Sequence, residues 1–235
     1  MRSLLLLFFV LLSVQLYAQE PLPEIAKDTT FYTKVDSLYR EDQFYFGVTY
    51  NGLQKTPAKF SQNGFSTGLH FGFMRDMPVN KKRTVAFALG LGLSYNKYHQ
   101  DLKVGEDGGV RTYEILEDES YSRNKMEQVF MELPFEFRWR NSTFTSHKFW
   151  RIYSGFKVRY LIFDKAKFVG DENIVVLRND DFNRLQYGPY IAFGYNTWNF
   201  HAYYGLNSLF KDSAQVNGRA IEIQTLNIGL MFYIL

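Results

Sequence analysis

Charged residues recur at every second position along two neighbouring stretches, as Glu132, Glu136, Arg138 and Arg140 in one and as Arg151, Lys157 and Arg159 in the other. Side chains two apart on an extended strand share a face, so each stretch, read as a strand, gathers its charges on one side. Phe130 and Pro134 complete the first face, and Phe149, Tyr153 and Gly155 the second. As one antiparallel hairpin turning at 141–147, the pair brings Glu136 near Arg151 and Glu132 near Lys157, within a register step. Acids and bases alternating across an enclosed space have two uses. One is a charged conduit or gate for ions or small solutes; the other is a neutralised salt-bridge plug that fills a narrow interior. Both assign Glu132, Glu136, Arg138, Arg151, Lys157 and Arg159 to one charge network.

Other chemistry is thin. His70 and His201 fall on the same face as these charges by alternation, but neither has a carboxylate at ligand spacing, so polar lining is the simpler reading and no metal ligand is assigned. Gly90-Leu91-Gly92 lies within a strand and opens no helix, which excludes a phosphate loop. No Gly-x-Ser-x-Gly elbow occurs, and no Ser and His converge on an outer face as a membrane lipase needs. No catalytic or cofactor-binding residue is assigned, and the chain is expected not to be an enzyme. With no cysteine, disulfides, thiolate metal sites and amino-terminal lipidation are excluded. The net charge of +3 has no clustered basic run behind it, so nucleic acid is not an expected partner.

The elements that must hold these residues show a particular kind of alternation. From Val85 to Asn96, Val85, Phe87, Leu89, Leu91, Leu93 and Tyr95 interleave with Ala86, Ala88, Gly90, Gly92, Ser94 and Asn96. The small face suits a cramped interior and the bulky face suits lipid, the reverse of a soluble half-buried strand. Similar alternation begins at Phe44, Phe65, Val129, Trp150, Leu185, Trp198 and Leu226, the stretch from Trp198 being read as far as Phe210. Eight strands follow, an even number that lets first and last pair with both termini on one side. Connections near 75–82, 141–147 and 196–197 are short, whereas 97–125 and 165–183 are long. Pro134 inside its strand predicts a bulge or a lost ladder bond. Trp139, Trp150, Tyr195 and Trp198 cluster at the short-turn ends, where a membrane interface would use them.

At the amino terminus, Arg2 precedes the apolar run Leu4 to Leu12 and a small-residue exit at Ala18, the pattern of a secretory signal peptide over 1–18. The polar stretch 19–42, with Pro21 and Pro23, reads as a periplasmic tail, and 43–235 as the barrel. The expected fold is all-β: an eight-stranded antiparallel transmembrane β-barrel with short periplasmic turns and longer extracellular loops, in the cell outer membrane. Its expected partners are outer-membrane lipid and an envelope protein.

Met131-Glu132-Leu133-Pro134-Phe135, then Tyr153-Ser154-Gly155-Phe156-Lys157-Val158, Tyr187-Gly188-Pro189-Tyr190 and Asn227-Ile228-Gly229-Leu230-Met231-Phe232 together resemble the PorT-like outer-membrane β-barrel family of Bacteroidetes. The resemblance implies an eight-stranded barrel without enzymatic activity, some relatives being tied to type IX secretion and gliding. The expected function is a structural or accessory barrel that engages partners through its loops or tail, the alternative being a narrow pore for ions or small solutes.

Overall fold

The computed structural model describes residues 42–116, 121–141 and 149–234. The expected signal peptide, nearly all of the amino-terminal tail, most of the turn after Asn141 and Leu235 lie outside the described residues. In chain order the strands are β1 Gln43–Gln54, β2 Thr67–Pro78, β3 Val85–His99, β4 Leu102–Asp107, β5 Val110–Ile115, β6 Arg123–Arg140, β7 Trp150–Val169, β8 Asn173–Leu177, β9 Leu185–Tyr195, β10 Trp198–Tyr204, β11 Gln215–Val216, β12 Arg219–Ala220 and β13 Gln224–Ile234. Eight of them, β1, β2, β3, β6, β7, β9, β10 and β13, pair antiparallel in that order, and β13 closes onto β1 with Phe46 opposite Phe232. Closure leaves this ring without a free edge inside the membrane, where an unpaired backbone group would cost several kcal/mol.

The faces follow from the period-2 pattern. Leu89, Leu91 and Leu93 of β3 point outward, half exposed, while Ala86, Ala88 and Ser94 are buried inward. On β6 the outward row runs from Val129 to Trp139, ten residue steps. At ~3.3 Å per residue and a tilt near 40°, that gives an apolar band ~25 Å tall, the height of an outer-membrane core. Trp139, Trp150, Tyr195 and Trp198 ring the short-turn end, and Tyr50, Tyr160 and Tyr187 stand near the other.

Inside, small residues make room for large ones. The Tyr45 ring lies across Gly72 and Gly92, and the Tyr190 ring across Gly155, so a methyl group at any of these glycines would overlap a ring. Pro134 interrupts the β3–β6 ladder: pairing is continuous up to Leu89–Phe135 and resumes at Gly92–Glu132, because proline has no N–H to donate. The bulge lies elsewhere. Ile162 is an extra residue on β7 between the Phe130–Leu161 and Val129–Phe163 pairs, which leaves Ile162 and Phe163 both outward.

The two ends of the barrel differ. Connections at the periplasmic end are short, Asn196 and Thr197 alone joining β9 to β10. In the turn from β2 to β3, the Val85 N–H donates to Asn80 Oδ1 and Asn80 Nδ2 donates to Thr84 Oγ1. At the extracellular end β3, β6 and β7 run on past the lipid band, β8 adds to the extension of β7, and β4–β5 and β11–β12 form separate hairpins. The stretch 97–125, expected as a loop, is thus the tip of β3, a hairpin and the start of β6. A second correction concerns Phe210, expected on a barrel strand. β10 ends at Tyr204, and Phe210 is buried in the extracellular connection.

Candidate functional site: a charged lumen beneath an apolar cap

Inward alternation on β2, β6 and β7 delivers charges to the periplasmic half of the lumen. Asp76 of β2 accepts two hydrogen bonds from Arg140, at 2.8 and 2.7 Å, and one from Arg138 at 3.1 Å. Arg138 also donates to Glu136 at 2.7 Å, and Glu136 accepts from the Tyr190 hydroxyl at 2.9 Å. Asp76, Arg138 and Arg140 have no exposed surface. Two guanidinium groups gripping one carboxylate in this fork arrangement is the geometry that offsets the desolvation of buried charge.

Arg151 departs from the expected pairing with Glu136. The register sets Arg151 opposite Arg140 and Glu136 opposite Gly155, four residues along β7 from Arg151. Arg151 instead lies over the rings of Phe149, Tyr153 and Tyr233 at 4.6, 5.7 and 5.5 Å, and among the described residues its Nε and Nη1 have no hydrogen-bond partner. Two arginines directly opposite on one face repel, and Asp76 holds Arg140 on the far side from that neighbour.

Halfway up, Lys157 Nζ sits 2.9 Å from Glu132, the second expected pair, and His70 Nδ1 lies 3.6 Å from the same carboxylate. The His201 ring is 6.2 Å from that of His70, and among the described residues neither of its nitrogens has a hydrogen-bond partner. Lys157 therefore already occupies the carboxylate that a metal would need. Among the described residues no group of three or more histidines and carboxylates could hold a metal ion. Above this level Arg159 donates to Gln186 and Thr225 and stacks on Phe130 and Tyr203. An amide ladder of Asn51, Asn96 and Asn227 lines the opposite wall. The cavity among Tyr45, Glu136, Lys157, Tyr190 and His201 has about 10 Å³, room for roughly one water.

Over this column sits a core of opposite character. Leu53, Tyr98, Leu102, Met126, Phe130, Leu161, Phe182, Leu209, Phe210, Ile221 and Ile223, drawn from the strand tips and the extracellular connections, form one buried apolar cluster. Tyr113 of β5 packs against it, ring-to-ring with Phe210 at 5.6 Å, and its hydroxyl donates to Asp181 while accepting from Asn179. Burial, with Asp181 beside it, pushes that hydroxyl well above the ordinary tyrosine range. The Asp101 and Ser61 backbones and the Asp101 carboxylate tie two connections together, and burial raises the Asp101 pKa.

All six residues expected in the charge network face the lumen, buried. Missing from that expectation are Asp76, which anchors Arg138 and Arg140, and the cap as a whole. Asp76 follows the inward sequence Gly68, His70, Gly72, Met74 on β2, a signal obscured by the turn-like run Asp76-Met77-Pro78.

A family model for the outer membrane protein beta-barrel domain matches residues 17–211. No curated protein matches. Among solved structures, Ail, the attachment invasion locus protein of Yersinia pestis in complex with the heparin analogue sucrose octasulfate, aligns at 12% identity over 82% of this chain and 97% of its own, with a TM-score of 0.40. A chain described under asymmetric conductivity of engineered proteins aligns at 7% identity over 83% and 100%, with a TM-score of 0.21. With scores this low, neither alignment adds to the family match.

Proposed function

The chain belongs to the outer membrane protein beta-barrel domain family and resides in the outer membrane, and from that premise we propose that it is a non-enzymatic, non-conducting barrel whose working surface is its folded extracellular cap. The observation that carries this reading is the continuous apolar core above the lumen, to which the extracellular connections contribute Leu102, Phe182, Phe210 and Ile221. A mouth sealed by packed side chains, over a column already filled by Lys157–Glu132 and Arg140–Asp76, supports a scaffold in preference to a pore. Long connections that fold at the expense of chain entropy favour a surface kept for a partner.

The resemblance carried by Met131-Glu132-Leu133-Pro134-Phe135 supports placing the barrel with the PorT-like proteins of Bacteroidetes, and with it an accessory role in type IX secretion or gliding, alongside an envelope protein bound through the cap or the periplasmic tail. Export by a cleaved signal peptide over 1–18 belongs to the same reading. Purified barrel in a planar bilayer should give no steady single-channel current. Replacing 100–122 by a short turn should abolish cross-linking to the envelope partner while the barrel still inserts. Stable currents would install the pore reading, and an inserted, trimmed barrel that keeps its cross-links would remove the cap from the account.

A further inference from the structure

Where β3, β6 and β7 leave the lipid band, their outward faces change character within one register step. The last apolar row is Tyr95, Val129 and Phe163; the next is Lys97, Glu127 and Lys165, followed by His99, Lys125 and Lys167, with Arg123 beyond. Five cations therefore share this patch with one carboxylate. Glu127 is engaged by Lys125 and by the Tyr95 hydroxyl, and among the described residues no ion pair joins Lys97, Arg123, Lys165 or Lys167 to any carboxylate. Among the described residues, the next acids on this wall, Asp171 and Glu172, stand in the turn beyond the end of β7. On the flank, Lys165 and Lys167 pair with Leu177 and Val175 of β8, and both aliphatic residues are about half exposed although they lie past the end of the barrel's own band.

An excess of cations over carboxylates among the described residues, beside exposed aliphatic side chains and immediately above an apolar wall, matches one class of neighbour. A lipid supplies acyl chains at the level of Tyr95 and Phe163 and acidic groups a few ångströms higher. We propose that the outward face of β3, β6 and β7, through Lys97, Lys125, Lys165 and Lys167, binds the phosphate groups of an anionic lipid in the outer leaflet. The inference is independent of whether the cap has a protein partner. Half-burial of the four lysines suits it: their methylene stems cover apolar surface while the ammonium heads reach the phosphate level. It also gives the long extension of β6 and β7 a use at the membrane surface, where each lysine near anionic headgroups adds to attachment.

The test uses the full-length barrel in detergent, native mass spectrometry, and lipid A bearing two phosphates against its phosphate-free form. The phosphorylated lipid should be retained at least about tenfold better. Lys165→Gln with Lys167→Gln should weaken retention about 30-fold, whereas the same charge change at the exposed periplasmic turn, Lys81→Gln with Lys82→Gln, should shift it less than about twofold. Excess inorganic phosphate should not displace the lipid; displacement would mean that the patch takes a free anion and would overturn the lipid assignment. Equal retention of the two lipids, or equal losses in the two double variants, would overturn the proposal as well. If the Lys165 and Lys167 variant does not fold, Lys97→Gln takes its place, and the comparison of the two lipids on the unaltered protein needs no variant.

Discussion

Below Phe130 the interior of this protein is charged; above it, the interior is apolar. Arg159 of the charged column stacks on the Phe130 ring at 4.7 Å, and Phe130 is itself a member of the cap cluster. The two regions are continuous in space and built from the same strands, so the difference comes from what surrounds them. Around the lumen the outside is lipid, and most of the strands' apolar side chains are spent there, which leaves the charged side chains facing inward, where Glu136, Arg138, Arg140 and Arg159 are held by hydrogen bonds and Arg151 by rings. Around the cap the outside is water, and the ordinary rule returns: apolar residues inside and charges such as Lys103 and Glu114 outside. One closed sheet thus carries an inverted core and a conventional core end to end.

The largest test of that contrast is at Asp76. Asp76→Ala removes the carboxylate that holds Arg138 and Arg140 where neither has access to water. Breaking a buried pair from one side costs about 3–5 kcal/mol, and the expected outcome is a folded fraction much reduced and a large drop in the temperature at which the barrel loses its heat-resistant compact migration. Loss of no more stability than a surface substitution causes would mean that water reaches the lumen and that it is not the sealed column described here.

Phe210→Ala probes the other core. Removing a fully buried ring is expected to cost about 3 kcal/mol, but inside a cap that can open while the barrel stays closed. Limited proteolysis should then cut within 100–122 and 205–223 while the strands remain protected and the heat-resistant form persists. Simultaneous loss of cap and barrel would show that the two cores form one cooperative unit.

The lipid face gives a third, somewhat smaller effect. Leu91→Arg places a charge near the midplane of the outer surface and should cost about 2–3 kcal/mol of membrane stability. Ala88→Ser, one face over, should be almost silent, because the small added hydroxyl stands on the polar inner face, in register with Asp76 and Glu136 on the neighbouring strands. Gly92 would be a poor control despite its inward position, since any side chain there collides with Tyr45. Equal membrane yields for Leu91→Arg and Ala88→Ser would reverse the assignment of the two faces.

How much of this was legible in the sequence divides along the same line. Period-2 alternation names strands and faces directly, so the eight-strand closure and the Glu132–Lys157 pair could be read from residue types alone. Register is harder. Placing Glu136 beside Arg151 is a four-residue register error that leaves every side chain on its own face, and the turn at 141–147 does not fix the count. Asp76 was hidden by the residues after it, where Pro78 marks a strand end as readily as a turn. The cap left little periodic signal, because Phe182, Phe210 and Ile221 come from separate connections and meet Leu53, near the end of β1, only once the barrel has brought the ends of its strands together.

The smallest expected effect belongs to Asp101, where the cap contains a carboxylate that the lumen would have paired. Asp101 is 4% exposed, Oδ2 accepts the Ser61 N–H at 2.7 Å, and among the described residues Oδ1 has no hydrogen-bond partner. Burial raises its pKa above the unfolded value. A raised carboxyl pKa means the folded cap binds a proton more tightly than the unfolded chain, so this group's contribution to stability falls as pH rises through the window between the two values and is most favourable below it. Asp101→Asn keeps an oxygen for the Ser61 N–H and removes the charge. The protease resistance of the variant cap should therefore equal or slightly exceed that of the unaltered protein at pH 7, by less than about 1 kcal/mol, and the advantage should vanish as the pH is lowered toward the ordinary carboxylate range. A variant cap that is cleaved faster at pH 7 would show that the ionised form of Asp101 is favoured in place, and that the apolar core tolerates a charge as the lumen does.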